Sequence, residues 1–345
     1  MRWKRKKYLW KLRNLKRINK KRSRKRRRAR RGSYNVQNVS VRKTIRLKAP
    51  AKFSIIKNVN ETGQFFADLI SVLKDKEVSN ATVFIDLNEV EYLTTDAIMY
   101  LLAIICNAKS GEERDIAFKG NRPKTQQANE LLQQSGFFQY VHSVVSDITT
   151  DSNNVRIVSG QDVNGDVVEK VIDFVNKSCN TNRLFTLELY DVMIELMNNA
   201  IQHAYDKSDI LNERNWYVYA ADNKNKVKIV FLDTGLGIAE TVHRDWGEYF
   251  KDIIRKDDGK YVESALRGEF RSQTGESNRG NGLPTVYEYA KRQEVVRFQI
   301  HTGKSISKVH SDGSLSSKEI ERPLYGTLFY WEISKKDIKE EYRND

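Results

Sequence analysis

Three short motifs stand in one order in the second half of the chain, and each marks a change of backbone regime. The first, Glu195-Leu196-Met197-Asn198-Asn199-Ala200-Ile201-Gln202-His203, lies inside a run of helical period. The second, Asp233-Thr234-Gly235-Leu236-Gly237-Ile238, follows an apolar strand-like run, Val227 to Leu232. The third, Arg279-Gly280-Asn281-Gly282-Leu283, precedes a helix with Pro284 in its first turn. A Gly326-Thr327 pair then falls within the last apolar strand. Helix, strand, long excursion, helix and strand follow one another in that order.

The residue types suit a definite chemistry. Leu187, Tyr190, Ile194, Met197 and Ile201 recur at three- and four-residue steps, which predicts an amphipathic helix over Thr186 to Tyr205. Asp191, Glu195, Asn199 and His203 form a second stripe, one helical turn apart. Asn199 can offer a hard carbonyl oxygen to Mg²⁺, an ion that takes few protein oxygens beside phosphates and waters. Glu195, one turn earlier, can polarise a water or a substrate hydroxyl. Gly235 and Gly237 allow a tight turn beside Asp233. Ala239 to Asn278 is an excursion without a continuous buried pattern, with a helix expected over Thr241 to Ile254. It ends on Gly280, Asn281 and Gly282, whose amides open a helix and so suit an anion, with Arg279 adding charge.

Together these boxes resemble the N-box, the two glycine boxes and the closing Gly-Thr of the Bergerat-fold ATPases, over about Val155 to Ser334. The resemblance implies a sandwich of helices packed on one mixed sheet, ATP and Mg²⁺ as cofactors, and Glu195 as the catalytic base. Asn199 is then the magnesium ligand. Asp233 accepts from the adenine amine; Gly235, Gly237, Arg279, Gly280, Asn281, Gly282, Leu283, His203 and Thr327 complete the nucleotide contacts. A phosphoacceptor His on a helical hairpin is not evident, since His142 sits in a loop-like setting, and no transducer domain is evident after the ATPase region. The layout is closest to that of the anti-sigma-factor serine kinases.

Upstream, an α/β rhythm runs from about Ala51 to Ser146, in a domain read as residues 34–145. Strands are expected at Lys52–Lys57, Ala81–Leu87 and Asp115–Lys119, and helices at Gly63–Lys74, from Thr94 or Thr95 to about Ala108, and at Lys124–Ser135, stopping at Gly136. Phe65, Phe66, Leu69, Ile70 and Leu73 form one inward face, and Ile98, Leu101, Leu102 and Ile105 another. Phe84-Ile85-Asp86-Leu87, Thr94-Thr95-Asp96-Ala97, Phe118-Lys119-Gly120 and Leu131 to Phe138 resemble a STAS domain, the fold of anti-sigma-factor antagonists. Thr95 keeps a hydroxyl at that family's switch position, while the preceding Asp and following Gly are absent; it reads first as a helix cap, second as a phosphoacceptor. Residues 146–154 read as a polar linker to the ATPase region, 155–336, and 337–345 as a charged tail.

Charge separates the ends from the middle. Met1 to Arg31 holds 19 Lys/Arg and no Asp or Glu, so the formal charge of +15 becomes −4 beyond Arg31. Residues 1–33 therefore read as a disordered basic tail suited to polyanions, with nucleic acid, RNA foremost, as the expected target. Cys106 and Cys179 have no metal-like or paired spacing, which speaks against a disulfide framework or a zinc site and for a reducing compartment. With neither a secretory signal nor a membrane-length apolar run, the expected location is the cytoplasm. Two functions stay open at this level. One is an ATPase or serine/threonine-kinase-like switch acting on a protein partner, of which STAS proteins are one type, with homodimerisation an option. The other is a nucleic-acid-associated ATP-binding component of a bacterial defence or ribonucleoprotein assembly, anchored by the tail.

Overall fold

A computed structural model describes residues 42–75, 78, 80–110, 115–141, 150–151, 153–179, 181–202, 215–246, 257–269 and 282–335. Lys43–Asp345 cluster as one compact unit, apart from Met1–Arg42. Within the larger unit two layers of structure share a six-stranded sheet.

The N-terminal layer is a parallel α/β unit. Strands β1 (Lys43–Lys48), β3 (Ala81–Asp86) and β5 (Ala117–Gly120) pair in the order β1-β3-β5, all parallel. Two-residue strands β2 (Lys52–Phe53) and β4 (Tyr92–Leu93) pair beside them. The expected strand at Lys52–Lys57 shortens to β2 because the chain turns at Ser54, whose amide donates to the buried Thr62 hydroxyl at 3.1 Å. Helix α1 (Val59–Lys74) buries Phe65, Phe66, Leu69, Ile70 and Leu73, the face its periodicity specified. Helix α2 (Thr95–Ser110) behaves differently: every residue from Ala97 to Ile105 is at most 3% exposed. A helix apolar on all sides must be covered on all sides, and this one packs against α1, the two helices that follow it and the large sheet. Helices α3 (Gln126–Gln134) and α4 (Phe137–Val141) follow, separated at Gly136.

The large sheet has the order β10-β11-β9-β8-β7-β6, with β6 (Thr150–Asp151), β7 (Asn154–Gly160), β8 (Trp216–Asn223), β9 (Lys226–Asp233), β10 (Val295–Val309) and β11 (Leu315–Ser334). Every neighbouring pair in it is antiparallel. The α/β class holds, but the single mixed sheet is corrected: parallel pairing belongs to the N-terminal layer, and hairpins such as β8–β9 make the large sheet antiparallel. Strand β6 falls inside the segment read as linker and closes one edge.

Helices α5 (Gly165–Cys179), α6 (Arg183–Gln202), α7 (Ile238–Trp246), α8 (Asp258–Arg267) and α9 (Gly282–Ala290) belong to one core with one face of this sheet. That face presents Val218, Ala220, Ile229, Phe231, Phe329 and Trp331; the opposite face presents Tyr217, Tyr219, Val230, Leu232, Leu328 and Tyr330 to α2 and its neighbours. Alternation along each strand thus feeds two cores.

Candidate functional site

Strand β9 ends at Asp233, flanked by Trp216 of β8 and Thr327 of β11 in register. Asp233 is 8% exposed, and by alternation it shares the helix-side face with Phe231. One carboxylate oxygen accepts the Gly235 amide at 2.9 Å, and the Thr327 hydroxyl and amide also bond to the group. Burial nevertheless pushes its pKa up to about 6, because these bonds only partly replace water around the charge.

The glycine positions around it are steric necessities. Gly326 has φ +82°, and a Cβ there would lie 2.1 Å from the Asp233 carbonyl oxygen. Thr302 links the surrounding loops: its hydroxyl donates to the Gly326 carbonyl at 3.1 Å and accepts the Ile238 amide at 3.0 Å. Thr234 and Asn215 exchange backbone and hydroxyl bonds on the other side, with Thr234 N to Asn215 O at 3.1 Å. The acid therefore sits in a loop cluster held from three strands.

A second constellation joins α6 to α9. Asn182 caps α6, its side-chain Oδ1 accepting the Phe185 amide at 2.9 Å. The helix buries Phe185, Leu189, Val192, Met193, Leu196, Met197 and Ala200. This corrects the expected inward face: Leu187 is 52% exposed, while Tyr190 and Ile194 only border the core. The helix is apolar around most of its circumference, so packing, not period, chose the buried side. Glu195 and Asn199 lie half-buried on the polar stripe, and Asp191 is exposed. Gly282, the first residue of α9, is pressed against both: a Cβ there would be 2.7 Å from Glu195 Oε2 and 3.2 Å from Asn199 Nδ2.

The structure thus brings Glu195 and Asn199 against Gly282, Asp233 against Gly235 and Thr327, and Gly237 against Thr302 and Gly326. Leu283 is partly buried beside the helix-side core. His203, Arg279, Gly280 and Asn281 lie outside the described residues. The excursion after Gly237 is more ordered than its sequence pattern: α7 begins directly at Ile238, and α8 is capped by the Asp257 side chain and by left-handed Gly268, burying Tyr261, Val262, Ala265 and Leu266. Among the described residues, no group of three His, Cys, Asp or Glu could cage a metal by itself.

Thr94, not Thr95, stands at the N-cap of α2, its carbonyl accepting the Ile98 amide. The following Asp96 is 2% exposed and accepts the Ile55 and Ile56 amides at 2.7 and 3.2 Å. Burial raises its pKa. Thr95 opens into a cleft of about 780 Å³ shared with Lys228, Tyr219 and Tyr330, on the sheet face away from Asp233. The sequence gives Thr302 no role and shows Asp96 only as part of Thr94-Thr95-Asp96-Ala97; neither carries a local signal of its bonds to distant loops.

No family model and no curated protein matches the sequence. Among solved structures, the SiaB–SiaC complex from Pseudomonas aeruginosa is similar at 12% identity, covering 53% of this chain and 91% of that chain with a TM-score of 0.27. Similarity at that level carries no assignment. No described helix is long and apolar enough to cross a membrane.

Proposed function

We propose that this protein binds Mg-ATP on the helix-side face of its large sheet and acts as a nucleotide-dependent regulator of a protein partner. The observation carrying this reading is the buried Asp233 at the end of β9, its oxygens already engaged by Gly235 and Thr327, beside loops that only glycine can form. A carboxylate accepts the exocyclic amine of adenine, whereas the oxygen of guanine would leave it facing another acceptor, so the site selects adenine.

Asn199 and Glu195 fit the remaining chemistry. An amide oxygen without a carboxylate cage suits Mg²⁺ held mainly by phosphates and waters. The ion would supply charge neutralisation at the phosphates. Glu195, one turn away, would take the proton of an attacking water or hydroxyl. Thr95 lies across the sheet from Asp233, so an acceptor for phosphate would be water or another molecule and not this threonine of the same chain.

The nucleic-acid reading keeps one supporting observation, the 19 cations of Met1 to Arg31. It concerns anchoring and is compatible with the same ATP site. Calorimetric titration of the full chain with ATP and GTP, with and without Mg²⁺, tests the proposal. Saturable binding of ATP, weaker for GTP, is expected; no ATP binding, or equal binding of GTP, refutes it.

A further inference from the structure

One short segment of β11 links the N-terminal layer by hydrogen bonds to the Asp233 loop cluster, beside the apolar packing of Leu232 and Leu328 on the same layer. Arg322 Nε donates to Gln64 Oε1 of α1 at 2.7 Å, and Lys74 Nζ donates to the Tyr325 hydroxyl at 3.3 Å while lying 4.9 Å from that ring. The Tyr325 amide donates to the Tyr100 hydroxyl of α2 at 2.8 Å. Tyr100 is 1% exposed and packed edge-on against Phe66, with centroids 4.7 Å apart. The ring and its oxygen are therefore fixed from the N-terminal side.

The next residue along β11 is Gly326. Its backbone rests against the Asp233 carbonyl, and its own carbonyl takes the Thr302 hydroxyl that receives the Ile238 amide. Thr327 then bonds the Asp233 carboxylate. One unbroken series of bonds runs from α2 to the acid. Gly326 passes so close to the Asp233 carbonyl that a Cβ would strike it, and Thr327 beside it bonds the carboxylate, so a shift of β11 at Tyr325 is felt at Asp233.

We propose that Tyr100 is a positioning residue, through which the N-terminal layer sets the geometry of the loops around Asp233 and hence their affinity for adenine nucleotide. This rests on the ATP reading above. Coupling of this kind is reciprocal: nucleotide tightens the hold of β11 on α1 and α2, and anything that moves those helices changes nucleotide affinity.

Tyr100→Phe removes only the hydroxyl. Tyr140→Phe is the matched control, because the Tyr140 hydroxyl likewise receives a strand amide, that of Ser159 at 3.1 Å, and donates to the Ile157 carbonyl, on β7 and so two strands across the sheet from β9. In the full chain, Tyr100→Phe should weaken ATP binding about tenfold and speed hydrogen exchange at the Ile238 and Thr327 amides by a similar factor. Tyr140→Phe should lower the melting temperature and leave both readouts unchanged. If Tyr100→Phe fails to fold, the surface pair Gln64→Ala with Lys74→Ala should move both readouts the same way, about threefold. Unchanged exchange and affinity in the α1–α2 variants, or an equal response to Tyr140→Phe, overturns the proposal. If the wild-type chain binds no adenine nucleotide, the ATP reading fails while the exchange comparison still decides the positioning role.

Discussion

Asp233→Asn should stabilise the nucleotide-free protein while removing its adenine selectivity. Burial lifts the carboxyl from 3.8 to about 6, so at neutral pH the folded protein holds a charge that the unfolded chain carries more easily. At about 1.4 kcal/mol per unit of pKa, that difference costs roughly 3 kcal/mol. An amide carries no charge and keeps one oxygen for Gly235 and Thr327, whose bonds to the charged form are already counted in that pKa. The net gain is about 3 kcal/mol at pH 7.5. The sign with pH follows from the raised pKa. The wild-type carboxyl contributes most to stability below the unfolded value and loses that contribution as pH rises through about 6. The advantage of Asn should therefore shrink on acidification through pH 6 and vanish near pH 4. In the pocket the amide oxygen stays with Gly235, which turns the NH₂ toward the base and sets donor against donor. Urea unfolding of both full-length proteins from pH 4 to 7.5, with ATP titrations alongside, measures this. An Asn variant no more stable at pH 7.5, or an advantage that does not shrink in acid, refutes the electrostatic argument; unchanged ATP affinity refutes the pocket assignment.

Glu195→Ala should leave ATP bound and slow turnover by roughly 10²–10⁴-fold, whereas Asn199→Ala should lose the Mg²⁺-dependent part of binding; single-turnover assays with binding titrations distinguish them. Gly326→Ala places a Cβ against backbone at positive φ and should cost about 3 kcal/mol or more of stability, read by denaturant unfolding. Gly282→Ala meets only the ends of the Glu195 and Asn199 side chains, so melting should change little while turnover falls by about 10²-fold. Removing Met1 to Arg31 should abolish salt-sensitive RNA binding in filter assays without altering ATP affinity, because the remainder of the chain carries −4.

Much of the site was legible because its signals are local. An apolar run ending in Asp233-Thr234-Gly235 announces a strand followed by a turn whatever surrounds it, and β9 ends at Asp233. Glu195 and Asn199, four residues apart, share a helical stripe by geometry alone. The charge of residues 1–31 is likewise composition. The pairing of Gly282 with both side chains was not local, since α9 had to be docked on α6 before that contact existed.

What only the tertiary structure decided is which surfaces are covered. The α2 run Ala97-Ile98-Met99-Tyr100-Leu101-Leu102-Ala103-Ile104-Ile105 holds no charged residue, yet period alone marks one inward face; the large sheet together with α1, α3 and α4 makes it wholly buried. On α6, two apolar stripes of equal helical period competed, and contact with the sheet selected the one through Phe185 and Leu189, leaving Leu187 in solvent. The bond from Tyr325 to Tyr100 joins residues 225 apart in sequence. Periodicity reports the conformation of one element, whereas burial is a property of pairs, and only the folded chain determines which elements become pairs.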